Sequence, residues 1–218
     1  MNWLDCGSLS SENDEMPEQL ETDYIVLRKQ EYGDRSLIIS GISPDYGRLD
    51  FILRGAVGGV NRSYPAVDLF RLLHIAFTQG DDSLGHLKSV ELIENFDSLA
   101  QNYPSYETAI WIATFSLLNV MPMLQQTLYA NAVEVALRRL ANRSQFLPEA
   151  IMTGVCITFL YESGWLTHAL QDSSSREQCR VLLEMASGKE APNLSGECWR
   201  QQLEWCKSML LYNECRLP

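Results

Sequence analysis

Between residues 24 and 54 apolar and polar positions alternate in short runs separated by turn residues. Tyr24-Ile25-Val26-Leu27-Arg28 has extended character, Tyr32-Gly33-Asp34 interrupts it, and Leu37-Ile38-Ile39-Ser40 follows as a second β-rich run. Pro44-Asp45-Tyr46-Gly47 then supplies a fixed φ at Pro44 and a permissive residue at Gly47, which predicts a tight turn. Beyond it Leu49, Phe51 and Leu53 alternate with Asp50, Ile52 and Arg54, the period of a strand with one buried side. Three strands in a meander predict the start of a small barrel. Residues 57–63 read as a loop, 67–77 are long enough for a fourth strand, Gly80-Asp81-Asp82-Ser83 turns the chain, and 87–94 alternate as a fifth. Five strands with Greek-key closure fit an OB-fold, and the strand count alone fits an SH3-like barrel equally well.

From Pro104 the period lengthens to that of helices. Residues 105–121 form an apolar segment with Ile110, Thr114, Leu117 and Met121 on one stripe, ended or kinked by Pro122. A second helix is expected over 127–141, with Leu128, Ala132, Val135, Ala136 and Leu140 inward and Arg138, Arg139 and Arg143 gathered near its carboxyl end. Pro148 and Gly164 bracket a third over 149–162, apolar on most sides and therefore central. Two more are expected over 175–186 and 195–213, the last capped by Ser195 with Leu203, Cys206 and Leu210 inward. The predicted class is α+β: a disordered acidic leader over 1–22, a five-stranded barrel over 23–97 and a helical bundle over 98–218.

Composition changes this picture in three ways. At 46% apolar and 21% charged, the 218 residues can build real cores, so disorder is not the general state. The net charge of −11 is unevenly spread: residues 1–22 carry −6, residues 23–80 carry +1, and the remainder carries −6. The six cysteines lack paired CxxC spacing and the density of a disulfide scaffold, which predicts free thiols, a reducing, cytoplasmic setting and no structural zinc. Cys198, Cys206 and Cys215 are expected to share one helix, at angles that keep them from converging on one metal. No apolar run approaches the length of a membrane span.

No catalytic constellation is legible. His74, His86 and His168 have no Cys, Ser or carboxylate pattern around them, Cys156 sits among core positions, and Gly55-Ala56-Val57-Gly58-Gly59 lacks the Lys-Ser/Thr of a phosphate loop. The expectation is a protein that is not an enzyme and needs no cofactor. Binding is better supported. Arg28, Lys29, Arg35, Arg48, Arg54, Arg62 and Arg71 are interleaved with Tyr32, Tyr46, Phe51 and Tyr64, and single-strand recognition needs cations for phosphates and flat rings for bases. Phe51, by its alternation with Asp50, belongs to the core.

The succession Ile-Val-Leu-Arg, Tyr-Gly-Asp, Leu-Ile-Ile, Pro-Asp-Tyr-Gly-Arg-Leu and Arg54-Gly55-Ala56 resembles the amino-terminal domain of the RecO recombination mediators. The likeness is strong over residues 23–56, loose to about residue 96, and a matter of helix order beyond. It implies an OB-fold followed by helices, a cytoplasmic role in recombination and the repair of DNA damage, and three partners: single-stranded DNA, RecR and the single-strand-binding protein. It implies a DNA surface among Arg28, Lys29, Arg35, Arg48, Arg54, Arg62, Tyr32 and Tyr46. A pocket for the acidic, hydrophobic tail of the single-strand-binding protein is implied on the helical half, near Arg138, Arg139 and Arg143. Two departures matter: the four-cysteine ribbon usual after the third helix is missing, and the loop after Arg-Gly-Ala holds Arg62 alone in place of several cations. Weak, salt-sensitive DNA binding is the consequence expected, and a protein-only adaptor that has lost DNA is the alternative. If the leader competes with DNA for the basic groove, deleting residues 1–20 should tighten binding at low salt.

Overall fold

The computed structural model describes residues 19–56, 64, 66–79, 84–142, 147–167 and 170–218. The expectations for most of the leader, for the loop 57–63 with Arg62, for the turn 80–83, and for Arg143 and His168 lie outside these residues. Five antiparallel strands come first: β1 (Gln19–Tyr32), β2 (Ser36–Ser43), β3 (Gly47–Arg54), β4 (Arg71–Thr78) and β5 (His86–Asn95). Their order is β3-β2-β1-β4-β5. The sheet closes where Gly85 bridges Phe51 in the parallel sense, its amide donating to the Asp50 carbonyl (2.9 Å) and its carbonyl accepting from Ile52. β1 serves two ladders, β4 along its first half and β2 along its second, with a slip in register between Val26 and Arg28 that bends it. A five-stranded barrel closed in this way is an OB-fold.

The alternation expected of β3 is present: Leu49, Phe51 and Leu53 are buried while Asp50 and Ile52 are partly exposed. Two of the boundaries that differ have a visible cause. β1 starts inside the stretch assigned to the leader, because Leu20 packs on the barrel core and the Thr22 hydroxyl, 2.7 Å from both Ser43 and Asp45, is buried. β4 starts four residues late, because Phe70 takes a φ of 55° and its amide donates to the Val26 carbonyl at 2.9 Å, turning the chain there.

A 3-10 turn, Asp97–Gln101, leads to α1 (Tyr103–Asn119), α2 (Thr127–Ala141), α3 (Pro148–Glu162), α4 (Ser173–Ala186) and α5 (Gly196–Tyr212). Asn102, Asp172 and Ser195 cap α1, α4 and α5 by accepting from the backbone amides of Ser105, Ser175 and Cys198. α2 borrows its cap: the Glu162 carboxylate accepts from the Leu128 and Tyr129 amides at 3.0 and 2.8 Å. α3 is the central helix, buried from Ala150 to Leu160 except at Met152, which is half-buried. The stripe expected on α1 is not the buried one. Ile110 and Met121 are exposed, and Thr108, Ala109, Ile112, Ala113, Phe115 and Ser116 face inward. The segment is apolar all round, so periodicity could not select a side.

Two cores result. Tyr24, Val26, Ile39, Phe51, Leu73, Ile75 and Phe77 fill the barrel. A larger one is shared, with Ile25, Leu27, Ile42, Phe70 and Leu72 of the barrel half packing against the helices. Cys215 lies beyond α5 rather than on it: Glu214 takes a φ of 62° and the Cys215 amide returns to the Leu210 carbonyl. Cys156, Cys179, Cys206 and Cys215 are all free and buried in this core, whereas Cys198 is exposed. Burial raises all four buried thiols, Cys206 to about 12 and Cys215 to about 11. Among the described residues no three of His, Cys, Asp and Glu are grouped to hold a metal ion, and no helix is long and apolar enough to cross a membrane.

Candidate nucleic-acid interface

Residues paired across a ladder project from the same side of a sheet, so the register defines what the outer surface of β1, β2 and β3 carries. Three rows cross it: Arg28–Ser40–Asp50, Gln30–Ile38–Ile52 and Tyr32–Ser36–Arg54. Tyr32 is 58% exposed, Arg28, Gln30 and Arg54 are exposed, and Ile38 and Ile52 are half-buried. The next row, Ile25–Ile42–Arg48, runs under the helices, where Ile25 and Ile42 are buried. The helical half thus covers one end of this surface and leaves a patch of three rows open, with Arg35 in the turn beside Tyr32.

Arg28 lies across the patch, donating from Nη2 to Ser40 Oγ at 3.0 Å and covering that fully buried hydroxyl. Arg28, Arg35 and Arg54 make no ion pair with a described residue, so three cations, a ring and two aliphatic side chains are available together.

The remaining candidates are placed differently. Lys29 projects to the other side of β1 and pairs with Asp68 at 3.0 Å. Burial raises the Asp68 carboxyl, but hydrogen bonds from Lys29 and the Leu69 amide outweigh that and hold it below the usual carboxylate range. Arg48 is used within the fold. Its guanidinium grips Asp50 at 3.0 and 3.3 Å and donates from Nη1 to the Leu117 carbonyl of α1 at 2.8 Å. Tyr46 sits edge-on to Phe77 against the barrel core instead of standing open as a stacking platform. Arg71 pairs with Asp97 and Phe51 is fully buried. In the helical half, Arg138 is clasped by Glu94 and Glu134, which hold its guanidinium well above the usual value, and Arg139 donates to the Lys189 carbonyl. A groove of about 480 Å³ lies elsewhere, lined by Leu128, Tyr161, Leu170 and Leu183 with Arg176 and Arg180.

Beyond the bend in β1 the outer surface changes sign. Asp23, His74 and Glu91 form one row across β1, β4 and β5, with Glu21 two residues before Asp23. Isolated in sequence, His74 has a carboxylate after all: its Nδ1 lies 2.8 Å from Asp23 Oδ1, which raises the imidazole pKa. The pairing spans 51 residues, which is why no local pattern announced it.

Residues 16–96 match the family model described as Recombination protein O N terminal. The barrel is thus similar to the RecO amino-terminal domain. The match spans the whole barrel, including β1 from its first residue. A search of curated proteins returned no match. The match over the barrel supports a role in recombination and DNA repair.

Proposed function

We propose that this protein is a non-enzymatic recombination mediator of the RecO kind that binds single-stranded DNA on the open patch of β1, β2 and β3. The observation that carries the proposal is the register itself, which brings Arg28, Arg54 and Tyr32 onto one surface with the partly exposed Ile38 and Ile52. Cations take phosphates, and the ring and aliphatic side chains meet base faces. Three phosphate contacts on a single strand give a slope of log affinity against log salt near −2. Titration of a labelled oligothymidylate at low salt tests this. The wild type should bind, and Arg28→Ala with Arg54→Ala should lose about 1.4 kcal/mol or more, a factor of about ten. Equal affinity for both proteins overturns the assignment.

RecR and the single-strand-binding protein are the proposed protein partners. For the acidic, hydrophobic tail of the latter, the groove beside α4 is the better candidate than Arg138 and Arg139, because it combines apolar lining with Arg176 and Arg180. Arg180 is shared with Glu177 and Glu184, so Arg176 is the cation to replace first. The alternative, a protein-only adaptor, draws on the commitment of Lys29, Arg48 and Arg71 to aspartates. No binding of oligothymidylate at low salt, with RecR binding retained, would favour it.

A further inference from the structure

We propose that Arg48 is a positioning residue for the open patch: it holds the Asp50 carboxylate toward the helices and thereby keeps Arg28 free for phosphate. This rests on the nucleic-acid reading of that surface. Asp50 stands in the same row as Arg28, with Ser40 between them. Adjacent strands lie about 4.8 Å apart, so the two backbones are separated by about 10 Å. Arg28 already reaches across the first interval, its Nη2 resting 3.0 Å from Ser40 Oγ. A released Asp50 carboxylate would lie within reach of that guanidinium, and a charge-assisted pair between them would remove one of the patch's cations and leave the other side chains unchanged.

Arg48 prevents this by geometry. It sits two residues before Asp50 on the same side of β3, one row nearer the helices. Two of its nitrogens hold the carboxylate at 3.0 and 3.3 Å, and the third donates at 2.8 Å to the Leu117 carbonyl. The pair is mostly shielded, with side-chain exposures of 28% and 19%, so it is screened less than a surface pair. The buried Tyr24 phenol feels all three groups. Its pKa is raised by burial and then by Asp50, and lowered by Arg48 and Arg28.

The test compares wild type, Arg48→Ala, Asp50→Asn and the double variant in oligothymidylate titrations over a salt series. Arg48→Ala should bind about tenfold more weakly, with the salt slope shallower by about 0.7, the share of one lost phosphate contact on a single strand. The double variant should return to within about twofold of wild type, since it removes the carboxylate that captures Arg28. Both variants lose the bond to the Leu117 carbonyl, so a merely structural role, or direct contact of Arg48 with DNA, leaves the double variant as weak as the single one and overturns the proposal. The Arg28 Nε–H resonance provides a reading without DNA. It should shift in Arg48→Ala and return in the double variant, and an unmoved resonance also overturns the proposal. Wild type that fails to bind the oligonucleotide refutes the nucleic-acid reading instead, while the Arg28 resonance still decides whether Arg48 restrains Asp50.

Discussion

His74 stands between Asp23 on β1 and Glu91 on β5, and the hydrogen bond from Asp23 raises its pKa above the ordinary 6.5, with Glu21 and Glu91 adding to it. A histidine favoured in its charged form stabilises the fold below its unfolded pKa, and that contribution is lost as pH rises through the folded value. The difference in melting temperature between wild type and Asp23→Asn should therefore be largest below about pH 6.5 and shrink at higher pH. Side-chain exposures near one half keep the effect small. Tyr32 belongs to the other half of the barrel. Tyr32→Ala should cost about 1–3 kcal/mol of oligothymidylate affinity if a base stacks there, measured by the same titration. At this scale the sequence was a partial guide. Arg28, Arg54 and Tyr32 share a surface by register, which no composition reveals. Arg48 and Asp50 are two apart on a strand and so share a side, yet Arg48 was expected on DNA and its pairing with Asp50 was not read; its bond to Leu117, which spans 69 residues, leaves no local pattern at all.

Gly47 joins the two halves. Its φ is 61°, and a Cβ there would fall 2.4 Å from the carbonyl oxygens of both Met121 and Leu124, which pack on the turn between β2 and β3. Around it the Arg48 amide donates to the Met121 carbonyl and the Gln126 amide to the Pro44 carbonyl. Gly33 has a similar φ of 62° and open space around it. A left-handed residue bearing a Cβ costs about 1–2 kcal/mol, so Gly33→Ala should lose about that much in urea unfolding and Gly47→Ala distinctly more. The caps give a smaller, separate effect: Asn102→Ala should cost about 1 kcal/mol through the start of α1. Elements with a marked two-sided pattern were legible, β3 and α2 above all; α2 runs from Thr127 to Ala141 as its periodicity predicts, with Ala132, Val135, Ala136 and Leu140 inward, but Leu128, expected inward, is exposed in the first turn beside the groove next to α4. The inward side of α1 was not, because a helix surrounded by protein keeps no polar face to mark its orientation.

For the molecule as a whole, the shared core matters more than the linear division into barrel and bundle. Ile25, Leu27, Ile42, Phe70 and Leu72 are covered by helices, and a fragment ending at residue 101 would expose them. Uncovering each large apolar side chain costs about 1.5–3 kcal/mol, comparable in sum with the stability of a whole domain. The fragment should unfold at lower urea than the intact chain, and the intact chain should unfold in one transition seen alike by tryptophan fluorescence and circular dichroism. The charge pattern has the same global character. A near-neutral barrel sequence separates in space into a cationic outer surface on β1, β2 and β3 and an acidic one on β1, β4 and β5, a segregation produced by the bend in β1 and invisible to a sum over residues. The buried thiols carry a practical consequence. Four of the five described cysteines are enclosed and resist ionisation, so once Cys6 is replaced, a maleimide dye under native conditions should attach at Cys198 alone, giving a single fluorescent reporter on the first turn of α5 without altering the packed interior.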